Sequence, residues 1–150
     1  MTDFVNAFRI GQAAAEESRA ARKSISELID RVSNELSNAT GGRIELKVEH
    51  FNVFKDTLGP IIGALATPPK YVKETYLAAT NPLNTDGKWV KLIAWDQPRE
   101  GFPCRLEFGS KQLNCYDIES LEAAISDALS TSAIGEKLAA LIASAPDEPS

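Results

Sequence analysis

Hydrophobic residues change their spacing twice along this chain, and each change marks a boundary between kinds of element. From residue 4 to residue 39 there is no proline and only Gly11 as a helix breaker. Ile25, Leu28, Ile29, Val32 and Leu36 recur there at steps of three and four, one stripe of a helix. Phe4, Val5 and Phe8 form a shorter stripe of the same kind. Between them, residues 13–22 are small and polar, good helix-forming sequence with little to bury. Thr2 or Asp3 supplies a cap, and Gly41-Gly42 ends the run. A continuous helix over these 36 residues would be about 54 Å long, more than a compact domain of this size spans. Two arrangements fit: Gly11 breaks the helix into two packed pieces, or the first half projects and finds a partner. The alanine-rich section would let another helix approach closely.

The period then drops to two. Ile44, Leu46, Val48, His50 and Phe54 share one parity, while Arg43, Glu45, Lys47 and Glu49 take the other, the signature of a half-buried strand. Pro60 is expected to open a short helix using Ile61, Ile62 and Leu65, closed by Pro68-Pro69. Residues 71–79 alternate poorly and lean to strand. After the turn signal Asp86-Gly87, residues 88–95 read as a strand with apolar side chains on both parities: Val90, Leu92 and Ala94 on one, Trp89, Ile93 and Trp95 on the other. Such a strand is either covered on both faces or displays aromatic residues.

The sharpest local prediction is a hairpin over 102–116. Phe102, Cys104, Leu106 and Phe108 alternate with Arg105 and Glu107, and Gly109-Ser110 suits a type II′ turn. In that register opposing residues sum to 219, so Leu106 faces Leu113 and Cys104 faces Cys115. Asp117 then caps a helix carrying Ile118, Leu121, Ile125, Ala128 and Leu129. Ser130-Thr131-Ser132 interrupts it, and Ile134, Leu138, Leu141 and Ile142 mark a second helix. Residues 146–150 are expected to be a disordered tail. The predicted class is α+β: a long N-terminal helix, broken or not near Gly11, an antiparallel sheet of four or five strands, and two C-terminal helices, all in one domain over 1–145.

Composition adds limits. With 150 residues, 43% hydrophobic and 25% charged, the chain has the make-up of a globular protein, and no apolar run approaches the roughly 20 residues of a membrane span. The N-terminus lacks the basic and apolar regions of a secretory signal, so a cytoplasmic location is expected. The formal charge of −5 is unevenly placed. Residues 1–42 carry 5 basic and 6 acidic groups (−1), residues 43–111 carry 10 and 8 (+2), and residues 112–150 carry 1 and 7 (−6). That last segment disfavours nucleic acid or anionic lipid and is compatible with a basic protein partner, but a solvated acidic helix face is the commoner explanation.

Candidate chemistry is sparse. Cys104 and Cys115 can act as a redox pair or pack as reduced small hydrophobes, and no further ligands near them indicate a metal. His50 is the only histidine, so nucleophilic mechanisms that need a histidine base must pass through it. Asp96 and Glu100, in a loop with Gln97-Pro98-Arg99, offer the best place for an acid–base pair. Trp89, Trp95 and Tyr116 fall outside the parity that the hairpin assigns to its core. With Lys91, Lys73 and Arg105 as neighbours they would make a binding face for protein or single-stranded nucleic acid, unless they belong to the core themselves.

The leading expectation is a non-catalytic, bacterial-type protein-binding module. Immunity proteins, antitoxins and chaperones share its small, acidic outline. It would act without a cofactor by occupying a partner surface, through Trp89, Lys91, Trp95 and Tyr116 or through Glu119, Glu122 and Asp127 of the acidic helices. A homodimer through the N-terminal helix is the accompanying expectation. The alternatives are a small hydrolase using loop carboxylates and a weak single-stranded nucleic-acid binder.

Overall fold

Asp3 caps the first helix by accepting a hydrogen bond from the Asn6 N–H at 3.0 Å, and the helix that follows does not stop at Gly11. In the computed structural model, which describes residues 1–55 and 70–144, α1 runs unbroken from Phe4 to Ala39. Of the two arrangements open to it, α1 takes the unbroken one. One glycine costs a helix about 1 kcal/mol against alanine, too little to interrupt a run flanked by good helix formers. The short helix expected after Pro60 and the tail at 146–150 lie outside the described residues.

Five strands follow as an antiparallel meander in the order β1-β2-β3-β4-β5: β1 Glu45–Lys55, β2 Lys70–Thr80, β3 Val90–Asp96, β4 Cys104–Phe108 and β5 Lys111–Cys115. After the sheet come α2, Ile118–Leu129, and α3, Ser132–Ala143. This is the α+β architecture that the periodicity predicts, with the poorly alternating segment resolved as β2.

The hairpin takes the expected register. Cys104 pairs with Cys115, Leu106 with Leu113 and Phe108 with Lys111. Gly109 has φ of +60°, while among the described residues no non-glycine, Ser110 included, has positive φ, which is the backbone pattern of a type II′ turn.

The helices cover one face of the sheet. Ile25, Leu28 and Ile29 of α1 join Leu46, Leu77, Ile93 and Leu106 of the strands and Leu121 and Ile125 of α2 in one buried cluster. Ser33, also buried, accepts the Leu46 N–H at 2.9 Å, satisfying a backbone donor on the unpaired side of β1 that would otherwise be desolvated without a partner. Asn81, at the end of β2, is 1% exposed. Its amide donates to the Leu141 carbonyl of α3 and its Oδ1 accepts from the Leu83 N–H, both at 3.0 Å.

Strand β3 departs from simple alternation. Leu77 pairs with Ile93, but the next residue, Ala78, pairs with Lys91 rather than Leu92. Leu92 is the extra residue of a bulge, and it switches the strand's parity. Val90 and Leu92 point to the core before the bulge, and Ile93 and Trp95 do so after it. Apolar side chains on both sequence parities thus reach one face.

Candidate functional site

The bulge decides the fate of the aromatic residues. Trp95 pairs with Leu106 on the core face and is 4% exposed; its Nε1 donates to the Gln97 Oε1 at 3.1 Å. Trp95 belongs to the core, the second of the two readings open to it, and displays no binding surface. Trp89 stays half-buried on the outer, helix-free face, with the Lys47 ammonium 6.0 Å from its ring centroid. Lys91 lies on the same face, 5.0 Å from the ring centroids of both Phe51 and Tyr76, which meet edge to face. Tyr116 is exposed at the start of α2, its N–H donating to the Ser120 Oγ. These four candidates do not assemble into one patch.

The acidic candidates on α2 are largely engaged. Glu122 pairs with Arg31 of α1 at 2.6 Å and Asp127 with Lys111 of β5 at 3.0 Å. Both pairs are about half exposed and contribute little stability, but they tie α2 to its neighbours and cancel two of the negative charges of the −6 segment. Glu119 is exposed in the first turn of α2, where the helix dipole favours an acid. Asp117 caps this helix, and the bonds from the Ser120 backbone and side chain hold its carboxyl below the ordinary carboxylate value.

The sheet's outer face carries a shallow, open groove of about 430 Å³ lined by residues that include Tyr76, Ala94, Asp96, Arg105 and Glu107. The Tyr76 hydroxyl donates to Glu74 at 2.8 Å, and this bond to its neutral form raises the phenol above its usual value. Asp96 sits in this groove, whereas Glu100 is exposed in the β3–β4 connection. His50 shares the parity of Leu46 and Val48, on the opposite face of the sheet, and its Nδ1 is 2.8 Å from the Thr75 hydroxyl. The groups a hydrolase would need are thus distributed over both faces. Among the described residues no cluster of three or more His, Cys, Asp or Glu is placed to hold a metal ion.

Cys104 and Cys115 are buried, unbonded neighbours across the hairpin. Burial pushes the Cys104 thiol up to about 12, with smaller contributions from Cys115 and Asp96, and the Cys104 Sγ lies 3.3 Å from the Gly101 carbonyl. A thiol so displaced from thiolate is a poor nucleophile.

The feature that sequence reasoning located only in part is the free half of α1. Of residues 4–20, all are exposed except the half-buried Ser18. Phe4 is 77% and Phe8 65% exposed, with Val5 and Ile10 similarly open. Contact with the body begins where Ala21 meets Gly101 and the Arg22 guanidinium donates to the Arg99 carbonyl at 3.0 Å. The signal in the sequence was the change from small and polar residues at 13–22 to the large apolar stripe from Ile25.

No protein-family model, curated protein or solved structure matches this chain. Among the described residues, no helix is long and apolar enough to cross a membrane.

Proposed function

We propose that this chain is a non-catalytic protein-binding module of the cytoplasm that engages its partner through the projecting half of α1. The observation that carries this reading is the exposure of Phe4, Val5, Phe8 and Ile10 on a helix whose own body leaves them uncovered. Isolated helices of this length are marginal in water, but this one is continued by a half that is anchored on the sheet. A preformed helix with exposed aromatic residues suits docking to a groove or to another helix.

Other features favour binding over chemistry. His50 and the groove carboxylates lie on opposite faces, and the buried thiols are held protonated. Stacking of nucleic acid bases on the outer face is disfavoured because the chain's own lysines sit over the rings of Phe51, Tyr76 and Trp89, beside Glu107 and Asp96.

Site-specific photocrosslinking in native lysate tests the proposal. A photoreactive residue at Phe4 or Phe8 is expected to give a defined protein adduct, while the same residue at Asn114 on the hairpin gives none. Absence of adducts from both helix positions, together with a monomer in light scattering, would refute it.

A further inference from the structure

Resting on that reading of α1, we infer that the partner of its projecting half is a second copy of this chain, bound antiparallel with Phe4 and Phe8 seated on Ala15 and Gly11 of the other copy. Phe4, Phe8, Gly11, Ala15 and Ser18 alternate at spacings of four and three; the next position is the charged Arg22, and beyond it the alternation resumes through Ile25, Ile29, Val32 and Leu36. That seven-residue repeat is the pattern of a helix that keeps one seam against a neighbour. The later part of the seam is buried on or packed against the chain's own core. The earlier part is its direct continuation and is uncovered.

The free seam is complementary to itself. Phe4 and Phe8 are four residues apart, as are Gly11 and Ala15. When two copies run antiparallel with opposing positions summing to 19, Phe4 meets Ala15 and Phe8 meets Gly11, and the same pairs recur on the other side of the two-fold axis. Every layer then places a large ring on a small residue, the arrangement that packs without voids. Gly11 supports this reading. It is the poorest helix former in α1, yet a Cβ added there would meet nothing within 4 Å in its own chain. The intrachain structure gives no reason for a glycine, whereas an incoming Phe8 ring does.

A parallel pair is excluded by the body. The partner's residues 25–36 would run along the side of α1 already occupied by the sheet. In the antiparallel pair each copy's anchored half lies outside the overlap over residues 4–15, which stops short of the Ala21–Gly101 contact. The two rings of each chain, 77% and 65% exposed, offer about 280 Å² of apolar surface if each spans about 200 Å². Doubled, the rings supply about 560 Å², below the roughly 1,200 Å² of stable complexes, so the association is weak and reversible, on the order of tens of micromolar.

Sedimentation equilibrium of the full chain, with circular dichroism to confirm helix content, tests this inference. The wild type should pass with concentration from 16.3 kDa toward twice that mass. Phe8→Ala and Gly11→Phe, both of which raise helix propensity, should each weaken the dimer at least about tenfold. The double variant Phe8→Gly/Gly11→Phe exchanges ring and socket and should restore dimerisation to within about threefold, because each 8–11 layer again holds one ring. A wild type that stays monomeric above about a hundred micromolar overturns the inference, as does a double variant no tighter than the singles. A monomer that crosslinks from Phe8 to a different protein overturns it too, while leaving the binding reading intact.

Discussion

Replacing Gly101 by alanine should destabilise the chain sharply, because this glycine fixes where α1 leaves the body. Its φ is +93°, and an added Cβ would lie 2.7 Å from the Ala21 Cβ and 3.3 Å from the Ala21 carbonyl carbon and the Arg22 nitrogen. The left-handed backbone costs an ordinary residue about 1–2 kcal/mol. The overlap with the Ala21 Cβ, which is fixed to the helix and cannot rotate away as a long side chain would, adds about 1–3 kcal/mol. The expected loss is about 2–5 kcal/mol, or a fall in Tm of about 5–15 °C for a domain of this size. Urea unfolding followed by tryptophan fluorescence and circular dichroism measures it. A cycle with Ala21→Gly separates the two causes. That change alone costs about 1 kcal/mol of helix propensity, but in the double variant it removes the overlap, so the pair should be less destabilised than the sum by about 1–3 kcal/mol. A Gly101→Ala chain within about 0.5 kcal/mol of wild type, or a strictly additive cycle, would refute the close approach of loop and helix.

The thiols give a pH prediction. The Cys104 value is raised in the folded chain from 9.0 to about 12, so its stabilising contribution is complete below the ordinary thiol value and is lost as pH climbs toward about 12. Urea midpoints should therefore decline on the alkaline side less in Cys104→Val than in wild type, and both thiols should resist alkylation until the chain is unfolded; equal declines, or rapid alkylation of native protein, would contradict the burial. Asn81→Ala removes the donor to Leu141 and the acceptor for Leu83 and should cost about 2–3 kcal/mol, read as a lower urea midpoint with an unchanged slope. A neutral result would show that α3 docks without this bond.

The acidic segment shows how the fold redistributes charge that is concentrated along the chain. Summed over residues 112–150 it carries −6, which by itself points to a basic ligand. The fold answers part of that charge internally, through Arg31 of the first helix and Lys111 of the last strand. Glu119 and Glu136 stay exposed, as do Phe4, Val5, Phe8 and Ile10 at the start of α1. Charge along a chain does not report which opposite charges other elements will bring beside it.

The sequence by itself determined what depends on neighbours a few residues apart. The hairpin register followed from one glycine-first turn and strict alternation, since a slip of one residue would have turned Leu106 and Cys104 to solvent. The Asp3 and Asp117 caps, the end of α1 near Gly41 and the two-helix C-terminus were legible for the same reason. Only the tertiary structure decided the rest. β2 is a strand because β1 and β3 flank it, despite poor alternation of its own. Trp95 is core because the bulge at Leu92 reverses the parity of β3 against β2, a relation between strands that no count along one of them contains. How much of α1 is covered was likewise tertiary: the body covers the stripe from Ile25 to Leu36, and its contact with the helix begins where Ala21 meets Gly101. Local spacing sets which side chains share a face, but the extent of the surface across from them sets which are buried.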